Sequence, residues 1–117
     1  MKLTINEIPP SNNKFQGTGN RYEYQSVKKR WAELIYFEVI KQEIPRNEIE
    51  KSVVEIKYFF KDKRRRDPDN YSGKFILDGL VKADVISDDS FSNIKLVLSA
   101  DVDKNNPRVE ITIKENS

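Results

Sequence analysis

Asp67-Pro68-Asp69 places two carboxylates two residues apart, directly after Lys61-Asp62-Lys63-Arg64-Arg65-Arg66, a run with five cations in six positions. Carboxylate oxygens are the ligands that hard divalent cations such as Mg²⁺ or Mn²⁺ take, and guanidinium and ammonium groups hold phosphate oxygens. Chemistry on a phosphodiester needs both, side by side. In an extended segment residues i and i+2 point the same way, and Pro68 biases Asp67 toward extended geometry, so the two carboxylates can converge at the start of a helix. A plainer reading is an Asp in a turn followed by an Asp capping a helix. Asp88-Asp89 offers a third ligand on a separate loop, and spacing alone does not bring it to the other two. Lys74 is either a cation that stabilises charge developing on a phosphate or an exposed helix lysine paired with Asp78 at i+4. Asp78 lies roughly half a turn round from Asp69 and stays outside the acid cluster.

Missing residue types narrow the chemistry further. The 117 residues include no Cys and no His. A thiolate nucleophile, a Cys-based zinc site and an imidazole base are all excluded. Catalysis must use carboxylates, Lys, Tyr, hydroxyls or a hard metal ion. The net charge of +2 hides an asymmetry: residues 1–66 carry 15 Lys/Arg and 9 Asp/Glu, whereas residues 67–117 carry 6 and 10. A basic run alone reads as a solvated loop or a weak nucleic-acid patch. Beside a carboxylate pair it reads as part of a site. With 37% hydrophobic and 34% charged residues, and six Phe, five Tyr and one Trp, the chain is too aromatic for disorder and too polar for a membrane protein. No apolar run approaches the ~20 residues that a bilayer needs, and Met1–Ile8 lacks a signal-peptide h-region. The expectation is a soluble cytoplasmic protein with a single small domain over residues 1–117.

The elements that must position these groups follow from periodicity. Lys2–Ile8 alternates as a short strand, and Pro9-Pro10-Ser11-Asn12-Asn13 ends it with turn chemistry. Residues 14–21, with Gly17 and Gly19, read as a loop. Val27, Trp31, Leu34, Ile35 and Val39 recur at helical spacing, predicting a helix over Tyr22–Gln42 that Pro45 stops. Val53–Phe60 is the clearest strand, with Val54, Ile56, Tyr58 and Phe60 on one face. Asp69 is a candidate N-cap for a helix over Asn70–Ala83, in which Gly73 and Gly79 suggest close packing. Ser87–Ser92 is a polar turn. Ile94, Leu96, Leu98 and Ala100 make a strand, and Val109, Ile111 and Ile113 make its hairpin partner. The order β-α-β-α-β-β specifies an α+β (mixed α/β) fold, one sheet with two helices packed on it.

Together these stretches resemble the RusA-like Holliday junction resolvases of bacteria and their phages. The resemblance rests on Pro9-Pro10-Ser11-Asn12-Asn13, Arg66-Asp67-Pro68-Asp69-Asn70-Tyr71, Phe75–Leu80, Val85-Ile86-Ser87-Asp88-Asp89-Ser90 and Arg108–Ile113, in the family's order and over nearly the whole chain. It implies a small homodimeric endonuclease that cuts four-way DNA junctions with Mg²⁺, Mn²⁺ being a possible substitute. It assigns metal binding to Asp67, Asp69 and Asp89, and the catalytic lysine to Lys74. The chain departs from the pattern at Ser72-Gly73, which separates Tyr71 from Lys74. It departs again at Asp84, where the family commonly has Gly and where a helix C-cap is expected.

On this reading Lys61, Lys63, Arg64, Arg65 and Arg66, with Lys14 and Arg21 on the early loop, grip phosphates, and Asn12 and Asn13 border the site. Two other readings stay open. One is a branched-DNA-binding module without catalysis, and the other a metal nuclease acting on flap or single-stranded DNA. Phe59, Phe60 and Phe91 are candidates for an interface or for wedging a junction open.

Overall fold

The computed structural model describes residues 1–15, 21–45 and 49–115. Strand β1 (Lys2–Ile5) leads to a 3₁₀ turn at Asn12–Phe15, then helix α1 (Arg21–Lys41), strand β2 (Ser52–Phe60), helix α2 (Lys74–Lys82), and strands β3 (Ile94–Val102) and β4 (Arg108–Glu115). The fold is α+β with the expected order of elements. The expected loop over 14–21 falls largely on 16–20, outside the described residues, and Lys14 and Phe15 belong to the 3₁₀ turn.

The four strands form one sheet in the order β1-β4-β2-β3. β2 pairs antiparallel with β4 and parallel with β3, so the last two strands are not hairpin partners as expected. They sit on opposite sides of β2. Both have the alternation of a hairpin arm, but the segment 103–107 is long enough to arch over the end of β2. Asp103 N–H donates to Phe60 O (2.8 Å), and the Asp103 carboxylate accepts from the Asn105 and Asn106 amides and from Arg108. That capped arch replaces the tight two-residue turn a hairpin favours.

Both helices lie on one face of the sheet. Leu3, Val54, Ile56, Tyr58, Val109 and Ile111 from the strands meet Trp31, Ile35 and Val39 of α1 and Phe75, Ile76 and Leu80 of α2, all buried. Gly79 lets the helices touch: a Cβ there would come within 2.9 Å of Ile35 Cγ1. The opposite face is wet and laced with ion pairs, among them Lys2–Glu110 (2.9 Å) and Arg108–Glu110 (2.8 Å). No helix among the described residues is long and apolar enough to cross a membrane.

Helix α2 starts later than periodicity suggests. Its N-cap is Gly73, at φ 81°, and not Asp69. Asn70 N–H donates to Asp67 O (3.0 Å) and Tyr71 N–H to Pro68 O (3.2 Å), so the 67–71 segment is a turn and not an extended lead into a helix. Proline fits the second position of such a turn. Gly73 is required twice over. Its φ belongs to the left-handed region, and an added Cβ would stand 2.5 Å from Ile56 Cδ1. At the far end Val85 N–H reaches Leu80 O and Asp84 N–H reaches Val81 O, a Schellman closure with Asp84 at φ 60°. Asp84 therefore occupies the C-terminal position that glycine favours, as expected.

Candidate active site

The turn at 67–71 is held by the chain's opening segment. Asn12 N–H donates to Asn70 O (2.8 Å), and the Asn12 side-chain amide donates to Asp69 O and to Ser72 Oγ, both at 3.0 Å. With both amide hydrogens committed, Asn12 positions the loop. Its neighbour Asn13 instead lines an open polar basin of about 470 Å³, shared with Ser11, Arg64, Arg65, Arg66, Asp67 and Asn70. The structure thus brings the Pro-Pro-Ser-Asn-Asn turn against the basic run and the first aspartate, although more than fifty residues separate them.

The cations of that run divide into two kinds. Arg66 is an internal brace: its side chain is only 15% exposed and it forms an ion pair with Asp62 (2.9 Å). It also donates to the Asp62 and Arg64 carbonyls and lies 4.3 Å over the Phe60 ring. Asp62 is held below the usual carboxylate range chiefly by the Arg64 backbone N–H, with Arg66 adding to the effect. Arg65, 88% exposed, reaches only Asp67 (3.2 Å) among the described residues, and Lys61, Lys63 and Arg64 are exposed. Surface contacts of this kind are weak and give way readily to a phosphate. Lys14 is paired with Glu23 (2.8 Å), and Arg21 is exposed at the first residue of α1.

Asp69 is exposed on the turn, and Asp89 is exposed on the loop before β3. That loop is knitted together by Asn93, whose amide donates to Glu50 O (2.8 Å) and Ser87 Oγ (3.3 Å) and whose carbonyl accepts from Ser90 Oγ (2.6 Å). Asp88 accepts from the Asp89 N–H (2.8 Å), so the first acid of the pair braces the loop that carries the second.

Lys74, the first residue of α2, stands at the centre of these parts. Its ammonium is raised above the ordinary lysine value, first by its hydrogen bond to the Tyr24 hydroxyl, with Asp78 and Asp89 adding charge attraction. Lys74 is therefore a standing cation, suited to offsetting negative charge and not to abstracting a proton. Among the described residues Asp78 forms its ion pair with Lys28, at 3.8 Å, and acts on Lys74 only as a nearby charge, so the expected i+4 pair does not close.

No group of three Asp or Glu side chains among the described residues is close enough to enclose a metal ion. Asp67, Asp69 and Asp89 are still the right donors: hard oxygens, with Asp69 and Asp89 exposed and Asp67 half-buried and held, among the described residues, by the exposed Arg65 alone. Mg²⁺ commonly takes one or two protein carboxylates, keeping waters and substrate phosphate oxygens for its other positions. The donor set fits such an open arrangement.

Beside the basin runs an apolar groove of about 90 Å³ between β3 and the turn, lined by Tyr58, Phe60, Arg66, Asp67, Tyr71 and Leu98 among others. Tyr71 meets Phe60 and Tyr58 edge-on, with centroids 5.1 and 5.7 Å apart, and anchors the turn to the sheet. Of the three phenylalanines singled out in the sequence, Phe60 is buried and Phe59 is covered by Arg108 at 3.8 Å. Phe91 is fully exposed, two residues after Asp89. Sequence reasoning missed Tyr24 and Asn93. Nothing in the spacing marks Tyr24, whereas Asn93 follows a serine-rich turn and directly precedes a strand, a place where side-chain amides commonly close loops.

A family model described as Endodeoxyribonuclease RusA matches residues 6–114. No curated protein matches the chain.

Proposed function

The chain belongs to the endodeoxyribonuclease RusA family, and from that premise we propose that it is a Mg²⁺-dependent endonuclease that resolves four-way DNA junctions in recombination and repair. Two copies would make paired, symmetric incisions. One observation carries the reading: a basin in which the exposed cations Arg64 and Arg65 flank Asp67, while Lys74 at the start of α2 feels the charge of Asp89.

Lys61, Lys63, Arg64 and Arg65 take the phosphates on either side of the scissile bond, and Lys14 and Arg21 lie where a second strand would pass. Asn13 offers its amide to the same backbone, while Asn12 and Arg66 keep the loop in shape. Asp67, Asp69 and Asp89 would hold one or two Mg²⁺ ions, or Mn²⁺ in their place, which supply Lewis-acid activation of water and neutralise phosphate charge. Lys74, held protonated, adds a fixed positive charge where the phosphate becomes more negative. With no histidine in the chain, the proton of the attacking water leaves to a carboxylate or to solvent.

The decisive experiment is cleavage of labelled mobile and immobile four-way junctions, with Mg²⁺ or with EDTA, by the native chain and by Asp69→Asn. Symmetric nicks that require Mg²⁺ and disappear in the variant are the expected result. An Asp69→Asn protein that cuts at the native rate would remove this carboxylate from the site. Preference for flapped or single-stranded competitors would reassign the substrate but not the chemistry. The spread of the three aspartates favours one second reading, a branched-DNA-binding module without cleavage. Tight junction binding with no cutting under any divalent metal would establish it.

A further inference from the structure

We propose that the free edge of β3 is the surface on which two copies of this chain pair, antiparallel and centred on Leu98, fusing two four-stranded sheets into one. The inference extends the two-copy reading above by naming the surface, and it is argued from the strand itself.

β3 is an unprotected edge. It is nine residues long, contains neither proline nor glycine, and runs in unbroken register with β2. The other edge, β1, has four residues. Long, regular edges are pairing templates unless charge, a bulge or a covering element blocks them. Here neither helix covers β3. Its residues Leu96, Leu98, Ala100 and Val102 are in register with the buried Val54, Ile56, Tyr58 and Phe60, yet Leu96 is 36% and Val102 39% exposed.

The backbone of this edge has the parity that self-pairing needs. Ser52 N–H donates to Asn93 O at one end of the ladder, and Asp103 N–H donates to Phe60 O at the other. Odd-numbered residues of β3 therefore turn their N–H and C=O groups toward β2, and even-numbered residues turn theirs outward. Antiparallel pairing about Leu98 sets Leu98 against the partner's Leu98 and Leu96 against the partner's Ala100, so that every hydrogen-bonded pair uses outward groups. The Val102 N–H is already engaged by the Asp101 carboxylate (2.8 Å) and the Ile94 N–H by Ser90 O (3.0 Å), so the pairing closes at both ends, where Ile94 meets the partner's Val102.

Side chains select the same register. Lys95 falls opposite the partner's Asp101, and the two-fold repeats that attraction on the other side. Leu96 facing the partner's Ala100 puts a large residue against a small one. A register shifted toward Asp103 would offer Lys95 a carboxylate already bound to Arg108 at 2.7 Å.

This geometry has a functional consequence. A two-fold axis perpendicular to a joined sheet leaves both inner faces on one side. The groove between β3 and the 66–71 turn would then occur twice on that side, flanking the axis, which is the arrangement paired incision of two strands requires.

Because the chain has no cysteine, single introduced thiols report the register directly. Residues paired across such an axis have Cα atoms ~5.5 Å apart, within disulfide range. Leu98→Cys should form a disulfide-linked dimer on mild oxidation. Lys95→Cys, whose two copies would lie on the order of 20 Å apart along the strands, should not. In sedimentation equilibrium the native chain should show twice the 13.7 kDa protomer mass. Lys95→Asp should weaken the dimer about tenfold or more, and adding Asp101→Lys to it should restore the native constant. A native chain that stays monomeric at tens of micromolar overturns the pairing together with the two-copy reading. A dimer indifferent to the charge reversal, and not cross-linked through residue 98, overturns this surface alone and leaves paired incision standing.

Discussion

β4 and β3 flank the same central strand with the same alternation, and they end in opposite surroundings. Ile111 and Ile113 of β4 are buried beneath the helices, whereas their counterparts across β2 on β3 are less covered, Leu98 being half-buried and Leu96 36% exposed. The difference lies in what the helices reach. α1 and α2 cover β1, β4 and β2, and over β3 the sheet faces only the turn that carries Asp67 and Asp69. A sheet wider than its helical layer leaves a ledge, and the acid and basic groups stand at the margin of that ledge. Hydrophobic patterning therefore marks a strand's inner face without saying whether anything lies over it.

The sharpest way to break this contrast is matched truncation on the two strands. Ile113→Ala should cost ~2–5 kcal/mol in urea unfolding, and Leu96→Ala, on the other side of the same Val54, about 1 kcal/mol or less in dilute protein. Equal costs would mean that β3 is covered after all. Next comes the point where the turn presses on β2: Gly73→Ala should cost about 2–4 kcal/mol, from a left-handed backbone and from the clash with Ile56 Cδ1. Combining it with Ile56→Val, which removes that methyl, should recover the clash but not the backbone strain. A third test separates brace from grip at the ledge. Arg66→Ala should lower stability by ~1–3 kcal/mol, since it strips partners from Phe60 and two carbonyls. Arg65→Ala should leave stability within ~0.5 kcal/mol and reduce the salt slope of DNA binding by about one. Smallest is Asp84→Gly, where the helical cover ends and the chain turns toward β3. It should raise stability by ~0.5–1 kcal/mol by relieving a positive φ, read as a shift in the unfolding midpoint.

Local periodicity made most of the fold legible. The helix around Trp31, Ile35 and Val39, the strand ending at Phe60 and the alternation in β3 and β4 all report which face meets the core, and that face is what selects them. Sheet order was not legible, because β3 and β4 present identical hairpin patterns and only the arch over Phe60 sends them to opposite sides of β2. The late start of α2 was hidden for a related reason. Asp69 is a good capping residue in isolation, but the Asn12 side chain and backbone engage the 69–72 stretch from a distant part of the chain and hold it as a turn. The same long-range clamp explains the site. The Asp-Pro-Asp spacing pointed to Asp67 and Asp69, and the family resemblance to Asp89 and Lys74. Sorting Arg66 and Asn12 into supports, and Arg65 and Asn13 into exposed groups, required knowing which neighbour each one meets.

The strand order also dictates when the protein can fold. Lys2 pairs with Thr112, and Ser52 pairs with both Ile94 and Glu115. Nearly every ladder in the sheet thus joins stretches that leave the ribosome far apart in time. Loop closure over such separations is slow, and no hairpin is available to nucleate the sheet early. During synthesis the helices can form while β1 and β2 wait without partners, and the sheet assembles in one late step once β4 is free. A nascent chain arrested before residue 108 should therefore remain sensitive to protease, however complete its α1 and α2 sequences are.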